Sequence, residues 1–282
     1  MAKPKVVILG AGFGGLTAAR ALAKHSEVIL VDRHNFQTFL PLLYQVSTAG
    51  LAADHVAYPI RGALRKTNVQ FRMGTPEKLN AAASELTLAD GHVIKYDHLV
   101  VAMGSTTADF GIPGVKENAL GMKTVGEALT IRSEVMRSYE EMCRRGNHDR
   151  LSIAIVGGGP TGVEMAGAFA ELVRGPLRSD YADAANRVQV SIIEAGPRLV
   201  PSFSESLSKR TQKDLEKLGV TVLTDTSVKE VLPDSILTLD GKSIAANTTV
   251  WAAGVKGVPA MDLLHLPITR GRIDVESTLQ VT

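Results

Sequence analysis

The feature that most constrains this chain is a pattern that occurs twice. Each copy has a short apolar run, a glycine-rich turn and then a stretch rich in small and aliphatic residues, at 5–24 in the first copy and 151–173 in the second. The turns read Gly10-Ala-Gly12-Phe13-Gly14-Gly15 and Gly157-Gly-Gly159-Pro160-Thr161-Gly162. This order predicts a strand, a tight turn and a helix in each copy.

The repeat extends beyond the turns. Gly157 lies 147 residues after Gly10, and two further pairs of glycines, 91 with 241 and 104 with 254, are each 150 residues apart. These near-constant offsets indicate two copies of one plan: a parallel βαβ start, an Asp-Gly hairpin and a closing strand. The sequence therefore predicts an α/β fold with two Rossmann-like domains. Their join is expected near the turn-rich stretch 111–114, followed by a helix over 125–145.

A glycine turn that enters a helix suits a pyrophosphate. Without Cβ atoms the backbone approaches the phosphates closely, and the helix N-terminus offers free N–H donors and a positive dipole end. Each strand after the turn ends in an acid, Asp32 or Glu194, whose carboxylate can accept hydrogen bonds from ribose hydroxyls. An ordinary tight turn is the alternative for a lone copy, but the repeated context favours two adenine dinucleotide sites.

The two acids differ in their spacing from the turn. Asp32 follows Gly10 by 22 residues, close to the usual spacing, whereas Glu194 follows Gly157 by 37 residues. Gly175-Pro176 and the polar stretch after it would lengthen the connection. A solvated strand-end charge is the alternative for either acid, and it competes more strongly for Glu194. In the functional interpretation Glu194 would repel a 2′-phosphate, which predicts NADH rather than NADPH.

Composition excludes several classes of function. The net charge of +2 and the absence of a Lys/Arg run argue against nucleic-acid binding. The single cysteine, Cys143, excludes a disulfide framework and an internal redox pair. The seven histidines have no metal-ligand spacing, so no metal site is expected. No run of 18 apolar residues exists, so no membrane span is expected.

Three segments together resemble type II NADH dehydrogenase, a single-chain, non-proton-pumping NADH:quinone oxidoreductase with FAD. They are the run 36–46 (FQTFLPLLYQV), the second turn with its following acid, 157–164 (GGGPTGVE), and the closing strand 250–255 (VWAAGV). The resemblance covers residues 6 to about 275. It implies a glutathione-reductase-like fold with the NADH domain, 116–256, inserted in the FAD domain, 1–115, which resumes at about 257–282.

The resemblance also implies which residues hold each dinucleotide. FAD should lie along Gly10, Gly12, Phe13, Gly14, Gly15, Asp32, Arg33, Pro41, Ala102 and Gly104. NADH should lie along Gly157, Gly159, Pro160, Thr161, Gly162, Glu194, Ala253 and Gly254. Plain small-residue packing is the alternative for the two Ala-x-Gly closing strands. Met103 stands where related enzymes more often carry Thr, which puts that side-chain contact in doubt.

Three residues are implied at the reacting groups. Tyr44 and Gln45, with Pro41, would lie beside the isoalloxazine ring, although this apolar stretch could equally be core. Glu164 would lie near the nicotinamide and the flavin, or it is a first-turn acid that interacts with the helix dipole. Hydride would pass from NADH to FAD and electrons then to a quinone, so no protein nucleophile is expected.

Two alternatives stay open at this stage. One is a ferredoxin or rubredoxin reductase of the same architecture. The other is an incomplete nucleotide-binding fragment, because the family's Gly-Asp segment on the flavin's ribityl chain and its C-terminal membrane-docking helices are not found before Thr282. The chain is therefore expected to be C-terminally truncated. The full-length protein is expected on the cytoplasmic side of the cell membrane and this chain as soluble; a homodimer is left open.

Overall fold

The structure is a computed structural model that describes residues 2–145, 150–259, 265, 268–269 and 272–281. Contacts divide the chain into two compact units. The first unit contains Met1–Phe39, Ala57–Thr106 and Val255–Thr282, and the second contains Leu40–Val56 and Thr107–Gly254.

The first unit is built on a four-stranded parallel sheet. Its strands, in spatial order, are Gln70–Met73, Glu27–Asp32, Lys5–Leu9 and His98–Val101. The helix Phe13–Leu22 connects the two central strands, whose side chains Ile8 and Leu30 are fully buried. The unit's smaller elements include the antiparallel pairs Phe36–Thr38 with Ala57–Pro59 and Ile268–Thr269 with Arg272–Ile273, and the helix Ile60–Leu64. They also include the two-stranded sheet of Ser105–Thr107 with Val255–Gly257 and the three-stranded sheet of Pro76–Asn80, Glu85–Leu88 and Val93–Lys95.

The second unit is built on a five-stranded parallel sheet. Its strands, in spatial order, are Ala119–Leu120, Thr248–Trp251, Leu151–Val156, Val188–Ile193 and Thr221–Leu223. An antiparallel sheet follows, made of Val228–Val231, Ser235–Thr238 and Ser243–Ala245. The helical segments are Leu40–Leu42, Leu43–Ser47, Ala53–His55, Val115–Asn118, Val125–Arg145, Pro160–Leu172, Val173–Leu177, Arg178–Asp180, Ala182–Ala185 and Glu205–Lys217.

The predicted duplication is confirmed within each unit. Four strands of the second sheet repeat the order of the four strands of the first, and each sheet is accompanied by a three-stranded antiparallel sheet. The Asp-Gly turns carry Gly91 and Gly241 at φ of +80° and +83°, the left-handed conformation that glycine adopts without strain. Even the side chain before the closing strand repeats: Asp97 accepts a hydrogen bond from Lys5 N at 2.6 Å, and Asn247 from Ser152 N at 2.8 Å.

The compact units differ from the predicted division in three places, one of which is the end of the second unit at Gly254 instead of 256. The segment Leu40–Val56 packs in the second unit, where Leu43 and Val46 are buried in the same cluster as Phe169. The turn at 113–114 also belongs to the second unit and is not a linker, because Val231 N donates to Pro113 O at 3.0 Å. The division therefore falls between Thr106 and Thr107. Of the predicted return at 257–282, residues 260–264, 266–267, 270–271 and 282 lie outside the described part of the chain.

Two kinds of feature are absent from the described residues. No helix there has the length and apolar character needed to cross a membrane. The same residues contain no group of three or more His, Cys, Asp or Glu side chains that could hold a metal ion.

Trp251 gives a test of the second unit's core. Its side chain is buried, and its Nε1 donates to the buried Ala108 carbonyl at 2.7 Å. We expect Trp251→Phe to lower the free energy of unfolding by about 1–3 kcal/mol, because the carbonyl loses its donor inside the protein. Urea unfolding followed by circular dichroism measures this change.

Leu239→Ala is the control for that measurement. Leu239 is exposed, so its truncation should change stability by less than about 0.5 kcal/mol. Equal stability of the two variants would contradict the role given to the Trp251 hydrogen bond.

Candidate functional site

Two glycines of the first turn are required by packing. Gly10 has φ of +98°, and a Cβ placed on it would lie 2.3 Å from Ala102 O. A Cβ on Gly15 would lie 1.8 Å from Gly10 O. Because both neighbours are backbone atoms, neither can move aside, and the turn closes against the strand end only with glycine at these positions.

Two other glycines of this turn border open space. No atom lies within 4 Å of a Cβ placed on Gly12 or Gly14. Gly12 is the N-cap of the helix Phe13–Leu22, and no side chain caps that helix. The first backbone N–H groups therefore face a space that a Cβ would partly fill, which is the geometry that a pyrophosphate requires.

Asp32 is fastened to this turn. Its Oδ2 accepts a hydrogen bond from Ala11 N at 2.6 Å and its Oδ1 accepts one from His34 N at 2.8 Å. A carboxylate has about four lone-pair sites, so each oxygen can still accept from a hydroxyl group. Arg33 follows as an exposed residue. The acid is thus a structural part of the turn and remains able to bind a ribose.

The closing strand of the first unit passes directly behind the turn. Ala102 N donates to Leu9 O at 2.8 Å, and Gly104, at φ of +73°, borders open space. Met103 packs against the apolar cluster that contains Leu9 and Val31. The side chain that replaces the expected Thr therefore contributes to packing.

An aromatic pair stands at the same turn. The Phe13 and Phe39 rings meet edge to face with centroids 5.6 Å apart, and nearly half of each side chain is exposed. Phe13 therefore presents apolar surface to solvent at the helix N-terminus.

The second turn reproduces the first. Gly157 has φ of +116°, and a Cβ on it would lie 2.6 Å from Ala252 backbone atoms; a Cβ on Gly162 would lie 1.9 Å from Gly157 O. Gly159 borders open space and is the N-cap of the helix Pro160–Leu172, again without a side-chain cap. Pro160 and Thr161 begin that helix as exposed residues.

Glu194 makes the same contacts as Asp32 despite its longer spacing. Its Oε2 accepts a hydrogen bond from Gly158 N at 2.6 Å and its Oε1 accepts one from Gly196 N at 2.7 Å. The extra residues are taken up by a π-helical turn, Val173–Leu177, and two short helices that precede the strand. Glu194 is therefore not merely a solvated strand-end charge.

The closing strand of the second unit has a packing role as well. Ala253 is exposed, whereas a Cβ on Gly254 would lie 2.7 Å from the ring of Phe110. Gly254 O also accepts a hydrogen bond from Ala108 N at 3.0 Å. The absence of a side chain at Gly254 therefore leaves room for the Phe110 ring.

Glu164 borders a small cavity of about 160 Å³ within the second unit, which we call the Glu164 cavity. Its polar lining comes from Tyr44, Lys123, Thr161 and Glu164. Leu40, Pro41 and Met122 complete it. Gln45 supports this wall, since its Nε2 donates to Tyr44 Oη at 3.1 Å. The structure thus brings Tyr44, Gln45 and Glu164 together.

The position of Glu164 excludes one interpretation of it. The helix begins at Pro160 and has no acidic residue in its first turn, so Glu164 lies in the second turn, where the dipole acts weakly. Although its side chain reaches solvent, partial burial raises the pKa of Glu164 above its ordinary value. Burial lowers the pKa of Lys123, and the nearby Glu127 opposes that shift.

Lys123 is the residue of this cavity that the sequence interpretation missed. The pattern Thr124-x-x-Glu127 is a capping box that starts the helix Val125–Arg145 directly after Lys123, but this signal predicts the helix start and not the cavity. Glu127 Oε2 accepts hydrogen bonds from the backbone N–H groups of Lys123 and Thr124, both at 2.8 Å.

Known proteins are similar to this chain over most of its length. Residues 4–282 match the family model described as pyridine nucleotide-disulphide oxidoreductase. A type II NADH:quinone oxidoreductase of Mycobacterium tuberculosis is 35% identical over 266 residues, which cover 89% of this chain and 57% of that protein. One of Staphylococcus aureus is 30% identical over 290 residues, covering 99% of this chain and 71% of that protein.

A solved structure gives the same relationship. The structure of NDH2 from Plasmodium falciparum in complex with NADH matches with a TM-score of 0.86 at 28% identity. The match covers 97% of this chain and 60% of that one. The chain therefore spans about three fifths of the length of that structure and of the M. tuberculosis relative.

The packing requirement at Gly162 can be tested against another glycine of the same helix. We expect Gly162→Ala to cost about 3 kcal/mol or more in unfolding free energy, because its Cβ would overlap the Gly157 carbonyl. The control is Gly167→Ala in the same helix, whose Cβ would meet Leu215 Cδ2 at an ordinary 3.7 Å. That variant should be unchanged or up to about 1 kcal/mol more stable.

Thermal and urea unfolding of both variants provide the measurement. Equal stability of Gly162→Ala and Gly167→Ala would contradict the close contact between Gly162 and the Gly157 carbonyl.

Proposed function

The chain belongs to the type II NADH:quinone oxidoreductases of the pyridine nucleotide-disulphide oxidoreductase family, and from this membership and the site geometry we propose that it oxidises NADH with FAD and reduces a quinone. One observation carries the proposal: in each unit an open glycine caps an uncapped helix, and a carboxylate is hydrogen-bonded to the same turn.

FAD is assigned to the first unit. Gly12 and Gly14 leave room for the pyrophosphate at the helix N-terminus, and Asp32 would accept hydrogen bonds from a ribose. Phe13 would cover part of the dinucleotide, and Arg33, Ala102 and Gly104 would border it. Bound FAD supplies the group that takes up two electrons as hydride and gives them on to an acceptor.

NADH is assigned to the second unit. Gly159, Pro160 and Thr161 would present backbone groups to its pyrophosphate, while Glu194 would accept from its adenosine ribose. Two backbone N–H groups fix Glu194, so its negative charge stays beside the turn. A 2′-phosphate would meet that charge, which supports selectivity for NADH over NADPH.

The Glu164 cavity is assigned to the reacting end of NADH. Glu164 lies about 6 Å along the helix axis from Pro160, within reach of a nicotinamide whose pyrophosphate rests on the turn. Tyr44 and Pro41 border the cavity, and Gln45 holds the Tyr44 hydroxyl in place. These residues orient the substrate and exclude water; neither a nucleophile nor a metal ion is required.

A quinone acceptor has a consequence for location. Quinones with isoprenoid tails dissolve in the bilayer, and NADH is a cytoplasmic substrate. We therefore place the working protein at the cytoplasmic surface of the membrane.

The visible spectrum of the purified chain tests the proposal. We expect absorption bands of bound oxidised flavin that bleach when NADH is added and return with a soluble quinone. A colourless chain that also fails to bind added FAD would contradict it. Reduction of ferredoxin or rubredoxin without quinone reduction would support the alternative family of reductases.

Substitution of the glycines that border open space should change ligand binding without changing stability. Ala at Gly12 or Gly159 would meet no protein atom, so both variants should keep wild-type stability. We expect Gly12→Ala to weaken FAD affinity and Gly159→Ala to weaken NADH affinity, each at least about tenfold, since the methyl group would occupy the phosphate space.

Calorimetry with each dinucleotide measures these affinities. Gly175→Ala in the π-helical turn is the control, because its Cβ also borders open space but lies away from the glycine turn. Unchanged NADH affinity in Gly159→Ala would contradict the assignment of the second turn.

The charge of Glu194 can be tested by Glu194→Gln. The amide retains one acceptor oxygen but loses the charge, so we expect the preference for NADH over NADPH to fall about tenfold or more. The ratio of the two dissociation constants is the measurement, with the exposed Glu171→Gln as control. An unchanged ratio in Glu194→Gln would show that selectivity arises elsewhere.

A further inference from the structure

Lys123 is held rigidly at the edge of the Glu164 cavity. It lies in the short turn between the strand Ala119–Leu120 and the helix Val125–Arg145. Within that turn Thr124 Oγ1 accepts from Glu127 N at 3.1 Å, and Glu127 Oε2 accepts from Lys123 N, Thr124 N and Thr124 Oγ1 at 2.8, 2.8 and 3.0 Å. This capping box fixes the backbone from which the Lys123 side chain extends.

No hydrogen bond or ion pair of the described residues draws the ammonium group of Lys123 away from the cavity. Glu127 Oε2 already accepts three hydrogen bonds, and none of them comes from the ammonium group. The lysine side chain is half-buried and lines the cavity beside Thr161. The wall of the cavity that Glu164 borders therefore includes a lysine side chain.

Glu164 and Lys123 do not neutralise each other. Neither takes part in an ion pair or hydrogen bond between side chains in the described part of the chain. Burial raises the pKa of Glu164 and lowers the pKa of Lys123, which is the reverse of what direct contact between them would do. The cavity therefore keeps one charged acceptor and one charged donor apart.

A ligand that satisfies both groups must present an acceptor and a donor close together. The cavity holds about 160 Å³, enough for a small polar group and too little for a whole dinucleotide. A primary carboxamide meets this description, because its carbonyl oxygen accepts and its amino group donates. NADH carries one such group on its pyridine ring.

We propose that Lys123 is a positioning residue that donates a hydrogen bond to the carbonyl oxygen of the nicotinamide carboxamide, while Glu164 accepts from its amino group. This inference rests on the proposed binding of NADH at the second glycine turn. The pair fixes the rotation of the pyridine ring, so that one face of the ring is presented to the acceptor. A hydrogen bond from an ammonium group to a carbonyl is stronger than a neutral one.

Binding measurements on Lys123→Met test the proposal. We expect NADH to bind about tenfold more weakly than to the wild type, since a charge-assisted hydrogen bond is lost. ADP-ribose, which has no nicotinamide, should bind as tightly as before. A purely structural role of Lys123 would weaken both ligands, and unchanged NADH affinity would overturn the inference.

Lys229→Met is the matched control. Lys229 is an exposed lysine in the same unit, so both affinities should stay at wild-type values. If the wild type binds neither NADH nor ADP-ribose, the proposed function fails. If ADP-ribose binds and Lys123→Met changes the affinities for NADH and ADP-ribose by the same factor, only the present inference fails.

Two analogues test the same contacts, and the first of them does so with the unmodified chain alone. Reduced thionicotinamide adenine dinucleotide replaces the carbonyl oxygen with a weak sulfur acceptor, so the unmodified chain should bind it about tenfold more weakly than NADH. The reduced 3-acetylpyridine analogue keeps the carbonyl but lacks the amino group. Its affinity should fall in Lys123→Met but not in Glu164→Met. Equal binding of NADH and the thio analogue by the wild type would contradict the proposal.

Discussion

The hydrogen bond from a turn N–H to the acid at the end of the next strand is the contact on which the rest of this structure depends. Ala11 N donates to Asp32 in the first unit, and Gly158 N donates to Glu194 in the second. Each bond joins a glycine turn to the neighbouring strand and directs the start of the following helix. The open N–H groups of that helix are thereby held beside a fixed negative charge.

This arrangement divides the glycines of each turn into two kinds. Gly10 and Gly157 let the turn pass the closing strand, and Gly15 and Gly162 let the helix pass the turn. A Cβ placed on Gly12 or Gly159 would meet no neighbouring atom within 4 Å, so packing does not require glycine at these positions. Their small size has a physical reason only if something else approaches the backbone there. That contrast is the strongest support for ligand binding that the fold contains.

Much of this fold could be predicted from the sequence because its signals are local and occur twice. The strands Lys5–Leu9, Leu151–Val156 and Val188–Ile193 and the helix Val125–Arg145 have the predicted bounds, since apolar runs and helical periodicity are read from neighbouring residues. The Asp-Gly turns follow from the backbone preference of glycine.

The features that could not be predicted depend on contacts between distant segments. Leu40–Val56 lies between elements of the first unit along the chain, but its apolar side chains pack in the second. The hydrogen bonds of Glu194 could not be predicted, because its long spacing from Gly157 does not reveal the π-helical turn that lies between them. Lys123 is an ordinary lysine by sequence; only the fold places it at the same cavity as Glu164 and Tyr44.

The central claim is that each glycine turn binds one dinucleotide. A crystal structure of this chain grown with FAD and ADP-ribose tests it most directly. The account predicts the FAD pyrophosphate at the backbone N–H groups that begin the helix Phe13–Leu22, and the ADP-ribose pyrophosphate at those that begin the helix Pro160–Leu172. Density for either pyrophosphate away from its turn, in a crystal where both ligands are bound, would contradict it.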